Sequence, residues 1–67
     1  MEIQVNGKIK QLPKEVETVA DLLHYFGLDA KMVIVEQNKE IVSKDNFQGA
    51  NLQSNDTIEL VRFVGGG

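Results

Sequence analysis

The chain ends in three consecutive glycines, Gly65, Gly66 and Gly67, and the last of these carries the α-carboxylate. Glycine has no Cβ atom, so such a terminal thread is slim and can extend into a narrow channel of another protein. A carboxylate can attack the α-phosphorus of ATP to give an acyl-adenylate, whose carbonyl then reacts with a sulfur or an amine nucleophile. The sequence therefore predicts Gly67 as a reactive group and Gly65 and Gly66 as the part of the chain that threads into partner active sites.

The other residues offer little chemistry of their own. Cysteine is absent, and the one histidine, His24, lies beside Tyr25 and away from the apolar stripe of a predicted helix, so we expect it to be exposed and free of metal. A G-x-x-x-x-G-K phosphate loop is also absent, and the acidic residues are scattered through turns instead of forming an acid and base pair. We therefore expect a carrier that is not an enzyme, binds no cofactor itself and is acted on by an ATP-dependent partner.

Size and composition limit the remaining possibilities. Sixty-seven residues form one domain, and 42% hydrophobic with 25% charged residues is typical of a globular protein. A net charge of −3 argues against binding to nucleic-acid phosphates and favours partners with basic surfaces. Because the apolar runs are short and no signal-peptide pattern appears, we expect a cytoplasmic protein without a membrane partner.

Alternating apolar and polar residues at the start of the chain predict a β-hairpin around Asn6-Gly7. A two-residue loop at this dipeptide would place Ile3 opposite Lys10 and so put apolar and polar side chains on one face. A three-residue loop pairs Ile3 with Ile9 on the core face instead. We predict the three-residue loop.

The next element is predicted to be a helix. Thr18 is a suitable N-cap, and Asp21 places an acidic side chain in the first turn, where the helix dipole favours negative charge. Gly27 stands at the position where a left-handed residue ends a helix. Apolar residues recur between these signals at helical spacing: Val19, Leu22, Leu23 and Phe26.

The second half of the chain predicts three strands. The β-branched run that starts at Met32 forms one, Ile41 and Val42 form a short one, and residues 57–64 form the last. We expect the intervening loop to be anchored in the core by Phe47 and Leu52. The order of hairpin, helix and three strands favours a mixed sheet packed on one helix, with the first and last strands parallel. This is the α+β arrangement of the β-grasp, or ubiquitin-like, fold, with a domain at 1–64 and a flexible tail at 65–67.

A second predicted feature lies on the last strand, close to the tail. Val61 and Phe63 lie on the face opposite to the predicted core residues of that strand. If this face of the sheet is solvated, the two side chains, flanked by Arg62, form a patch on which a partner can dock. Burial of the same pair beneath the loop that precedes the strand is equally compatible with the sequence.

Four segments cover almost the whole chain: MEIQVNGK, TVADLLHYFGL, VIVEQNKEIV and SNDTIELVRFVGGG. Together they resemble the ThiS family of sulfur carriers in thiamin biosynthesis, which is ubiquitin-like in fold. The resemblance implies that a ThiF-type adenylyltransferase uses ATP and magnesium to activate Gly67. It also implies that sulfur comes from cysteine through a cysteine desulfurase, and that the resulting thiocarboxylate serves thiazole synthase. Family members often have Pro-Arg where this chain has Ser43-Lys44, and Gly-Asp where it has Asn55-Asp56.

Other functions stay open at this point. A MoaD-like sulfur carrier of molybdopterin synthase, a protein modifier joined to lysine, and a non-covalent β-grasp binding module are all compatible with the pattern. The glycines alone are also typical of a frayed end or an added linker. The sequence leaves undecided the sulfur acceptor, the oligomeric state, the residues of any partner interface and whether the third glycine is native.

Overall fold

The computed structural model describes residues 1–63, which form one five-stranded sheet and one α-helix. The elements are β1 (Glu2–Val5), β2 (Lys8–Gln11), α1 (Val19–Tyr25), β3 (Val33–Gln37), β4 (Glu40–Val42) and β5 (Thr57–Arg62). The strand order is β2-β1-β5-β3-β4; β1 and β5 are parallel and the other neighbours antiparallel. The predicted β-grasp topology is thereby confirmed, with β5 at the centre of the sheet. The predicted tail at 65–67 lies outside the described residues.

One face of the sheet packs on α1 and forms the core. The side chains that lose all or nearly all of their solvent contact come from both layers: Ile3, Val19, Leu22, Leu23, Val33, Val35 and Ile58. Phe47 and Leu52 of the loop before β5 are also buried, as the sequence predicted. The opposite face of the sheet remains exposed, which makes it the surface that a partner can reach.

The register of the β1–β2 hairpin was predicted wrongly. Ile3 lies opposite Lys10 instead of Ile9, because the chain turns on only two residues, Asn6 and Gly7. Both have positive φ, 49° and 82°, as a type I′ turn requires, and Asn-Gly is a favoured sequence for that turn. The prediction assumed that β2 has a buried face. All four residues of this edge strand are exposed, so its side chains do not select the register.

Helix α1 begins and ends where the sequence predicted. Thr18 accepts a hydrogen bond from the backbone N–H of Asp21, whose carboxylate accepts bonds from the N–H groups of Glu17 and Thr18. The bond from Glu17, with those from Thr18, lowers the pKa of Asp21 despite some desolvation. Gly27 follows the helix at φ 70°, the left-handed conformation that glycine adopts without steric cost.

Asp56, directly before β5, is the one buried charged side chain among residues 1–63. Its carboxylate accepts hydrogen bonds from the Gln37 and Asn38 side chains at 2.9 and 3.0 Å, and from the Gln53 N–H at 2.9 Å. Burial by itself raises the pKa of Asp56, but the bonds from Asn38, Gln53 and Gln37 outweigh it and lower that pKa below its usual value. The residue therefore links the β3–β4 turn to the start of β5.

Candidate functional site

The end of β5 is the last described part of the chain and precedes the three terminal glycines in sequence. β5 is hydrogen-bonded to β1 on one side and to β3 on the other, and the backbone N–H of Phe63 donates to the Met32 carbonyl at 3.0 Å. The main chain is thus held in the sheet as far as the last described residue. Gly65, Gly66 and Gly67 lie outside the described residues, so their threading and reactive roles stay predictions.

Asn6 joins the hairpin turn to β5 near the base of the tail. Its side-chain oxygen accepts from the Leu60 N–H at 2.8 Å, and its side-chain nitrogen donates to the Leu60 carbonyl at 3.2 Å. These bonds continue the parallel pairing of β1 and β5 beyond the last residue of β1. The sequence identified Asn6 only as a turn residue, because its partner lies 54 positions away.

Lys44 lies against the last described residue of the chain. Its ammonium group donates to the Lys31 carbonyl at 2.8 Å and lies 5.4 Å from the centre of the Phe63 ring, within the range of a cation–π contact. One side chain therefore connects three segments that are separated in sequence. Sequence reasoning noted Lys44 only as part of a departure from the Pro-Arg pattern and assigned it no contact.

We expect Lys44→Met to loosen the base of the tail, because methionine keeps the aliphatic length and loses both contacts. Protection of the Phe63 N–H against hydrogen exchange should fall about threefold, the size expected for an exposed cation–π contact. Lys44→Arg retains a cation and its donors and should preserve protection, while the Val5 N–H serves as an internal reference. Equal loss in both variants, or no loss in Lys44→Met, would contradict this role.

The structure exposes Val61 and Phe63, with 57% and 40% of their surface accessible, so neither is buried beneath the loop before β5. Val61 lies on the outer face, opposite Ile34 of β3. Arg62 is paired with the buried Val33, on the core side of the sheet, and together with Phe63 it borders a groove at the end of α1. Arg62 and Val61 therefore do not form one surface, and a docking role for these residues stays a prediction.

The remaining candidates of the sequence analysis lie elsewhere. His24 is exposed on α1, as predicted, next to Tyr25. Within residues 1–63, no three His, Cys, Asp or Glu side chains are grouped closely enough to hold a metal ion. In the same part of the chain, no helix has the length and apolar character needed to span a membrane.

Known proteins share both the sequence pattern and the fold of this chain. The model of the ThiS family matches residues 3–67. The chain is 46% identical over 65 residues to the sulfur carrier protein ThiS of Bacillus subtilis, covering 97% of this chain and 98% of that protein. The crystal structure of the thiamine biosynthesis protein ThiS of Geobacter metallireducens superposes with a TM-score of 0.84 at 30% identity, with both chains fully covered.

This chain is also similar to one segment of a larger protein. The thiazole synthase of Paramagnetospirillum magneticum is 36% identical over 67 residues, which is 100% of this chain and 20% of the synthase. The same type of domain therefore occurs both as a small protein and as a segment of a synthase.

Proposed function

The chain belongs to the ThiS family, and we propose that it is a sulfur carrier of thiamin biosynthesis, itself not an enzyme, whose Gly67 carboxylate becomes a thiocarboxylate. The observation that carries this proposal is the family match, which runs through the glycines to residue 67. The position of β5 supports it, because the sheet holds the chain up to Phe63 and the reactive end follows four residues later.

The proposed chemistry takes place at one carbonyl group. A carboxylate oxygen of Gly67 attacks the α-phosphorus of ATP, and pyrophosphate leaves to give the acyl-adenylate. A persulfide then attacks the carbonyl carbon, and AMP leaves with the former carboxylate oxygen. A thiol cleaves the resulting acyl disulfide and is itself oxidised to a disulfide, so that the thiocarboxylate is released.

The partners follow from this chemistry. A ThiF-type adenylyltransferase supplies the catalytic site for ATP and magnesium, and a cysteine desulfurase supplies the persulfide sulfur. Thiazole synthase is the proposed acceptor, which the synthase relative with a matching segment supports. The predicted cytoplasmic location stays a prediction.

The test is the intact mass of the chain after incubation with ATP, magnesium, a ThiF-type enzyme, a cysteine desulfurase, cysteine and a thiol reductant. We expect one oxygen to be replaced by sulfur in the full chain and no change in a chain shortened by Gly66 and Gly67. An unchanged mass with an adenylyltransferase that is active on another carrier would reject the carrier function. The non-covalent binding module would then be the next hypothesis, because its binding does not need the terminal glycines.

A further inference from the structure

The turn between β1 and β2 contains the one Asn-Gly dipeptide of the chain, Asn6-Gly7. In such a dipeptide the backbone nitrogen of glycine loses its proton to a solvent base and attacks the side-chain amide carbon of asparagine. Ammonia leaves, and a cyclic imide is formed. The absence of a Cβ on glycine favours this step, because nothing crowds the new ring. Water then opens the imide at either carbonyl, which leaves an aspartate or an isoaspartate. Asn6 is exposed, so water and base can reach it.

The fold restrains the amide group on which this reaction depends. The Oδ1 atom of Asn6 accepts from the Leu60 N–H at 2.8 Å, and its Nδ2 atom donates to the Leu60 carbonyl at 3.2 Å. The backbone N–H of Asn6 also donates to the Ile58 carbonyl at 2.9 Å. To form the ring, the amide carbon has to rotate towards the Gly7 nitrogen. That rotation draws both side-chain atoms away from Leu60, so the two bonds oppose the reaction.

A second asparagine in the same kind of turn provides an internal comparison. Asn38 begins the two-residue turn between β3 and β4 at φ 53°, close to the 49° of Asn6. Its side chain is also bonded at both ends, to the Thr57 N–H and to the Asp56 carboxylate. The residue after Asn38 is Lys39, whose side chain crowds the backbone nitrogen. The two turns therefore hold their asparagines alike and differ in the residue that supplies the nucleophile.

We propose that Asn6 is a site of spontaneous deamidation, and that the reaction is limited by separation of the β1–β2 turn from β5. In the closed fold the bonds to Leu60 hold the amide away from the Gly7 nitrogen, so the reaction proceeds from chains in which the turn has opened locally. The modification does not involve Gly67, and the proposal is therefore independent of the proposed function.

The product of the reaction cannot restore the original contact. An aspartate places a carboxylate oxygen against the Leu60 carbonyl, so that two acceptors face each other. An isoaspartate adds a methylene group to the main chain of a two-residue turn and changes the geometry that joins the two strands. Leu60 lies three residues before Phe63. Deamidation at Asn6 therefore loosens β5 close to the base of the tail.

The position of the site is tested by incubating the full chain at mildly alkaline pH in urea. Peptide masses after digestion locate the deamidation, and methylation by an isoaspartyl methyltransferase identifies isoaspartate. Asn6 should react faster than Asn38. Gly7→Lys reproduces the Asn38-Lys39 sequence and should slow Asn6 to the rate of Asn38. Equal rates at the two asparagines of the parent chain would overturn the assignment to Asn6.

The role of the fold is tested by the same incubation without urea. Deamidation at Asn6 should be about thirtyfold slower than in the unfolded chain, the factor expected when two hydrogen bonds have to open together. Hydrogen exchange of the Leu60 N–H reports the same opening and should show protection of similar size. Equal rates in folded and unfolded chains, or a suppression far greater than the protection of the Leu60 N–H, would overturn the control by local opening.

The effect of the product is tested with Asn6→Asp. Protection of the Leu60 N–H should fall about tenfold, because one hydrogen bond is lost and two acceptors face each other. Asn46→Asp is the matched control, since it adds the same charge at an exposed loop residue and should change protection less than about twofold. Thermal melting checks that both variants are folded. Parental protection in Asn6→Asp would overturn the loosening of β5.

Discussion

Replacement of Gly66 by valine is expected to slow thiocarboxylate formation by about hundredfold, the cost of misplacing a reacting group by roughly 1 Å. Glycine has no Cβ, and a branched side chain beside the terminal residue widens the thread that we propose enters the adenylyltransferase. The rate is measured from intact mass as a function of time, with the adenylyltransferase limiting.

Threading and folding are separated by measuring the stability of the same variant. The melting temperature of Gly66→Val should equal that of the parent chain, and Gly66→Ala should show a smaller loss of rate. A valine variant that gains sulfur at the parental rate would show that the enzyme does not enclose the penultimate residue. The glycine tail would then need another explanation.

Replacement of Asp56 by alanine is expected to lower the free energy of unfolding by about 2–3 kcal/mol, a large share of the stability of so small a domain. Asp56 is 7% exposed, and its carboxylate accepts bonds from Gln37, Asn38 and the Gln53 N–H. Alanine leaves these donors without their acceptor at the start of β5. Urea unfolding at neutral pH measures the difference.

The same carboxylate makes stability depend on pH in a defined direction. The pKa of Asp56 is lowered in the folded chain, so its contribution is present above the unfolded value of about 3.9 and is lost as pH falls through the folded pKa. The stability gap between the parent chain and Asp56→Asn should therefore narrow below about pH 4. A gap that stays constant down to pH 2 would show that the ionised form is not the one that the hydrogen bonds favour.

Local signals in the sequence are sufficient to predict where the helix α1 begins and ends. Thr18, Asp21 and Gly27 act through hydrogen bonds and backbone angles that involve only neighbouring residues, so their types and spacing specify where α1 begins and ends. The parallel pairing of β1 and β5 was also predictable, since it follows from the order of elements and the length of the crossover between them.

In the β1–β2 hairpin, the alternation of apolar and polar residues predicts the wrong register. Asn6-Gly7 favours a two-residue turn, whereas the alternation of apolar residues favours a three-residue turn that keeps Ile9 on the core face. The structure follows the turn, because β2 is an edge strand with no core face to satisfy. The sequence of β2 does not itself show that the helix leaves this strand uncovered.

The chain's own sequence was enough to predict the helix, the β-grasp order and the ThiS family, because each depends on residue types at short spacing or on the order of elements. Only the folded chain brings Lys44 to Phe63, Glu36 to Glu59 and Asp56 to its donors. These partners lie on different strands and loops. Their contacts depend on strand order and register, which arise when the sheet closes on the helix.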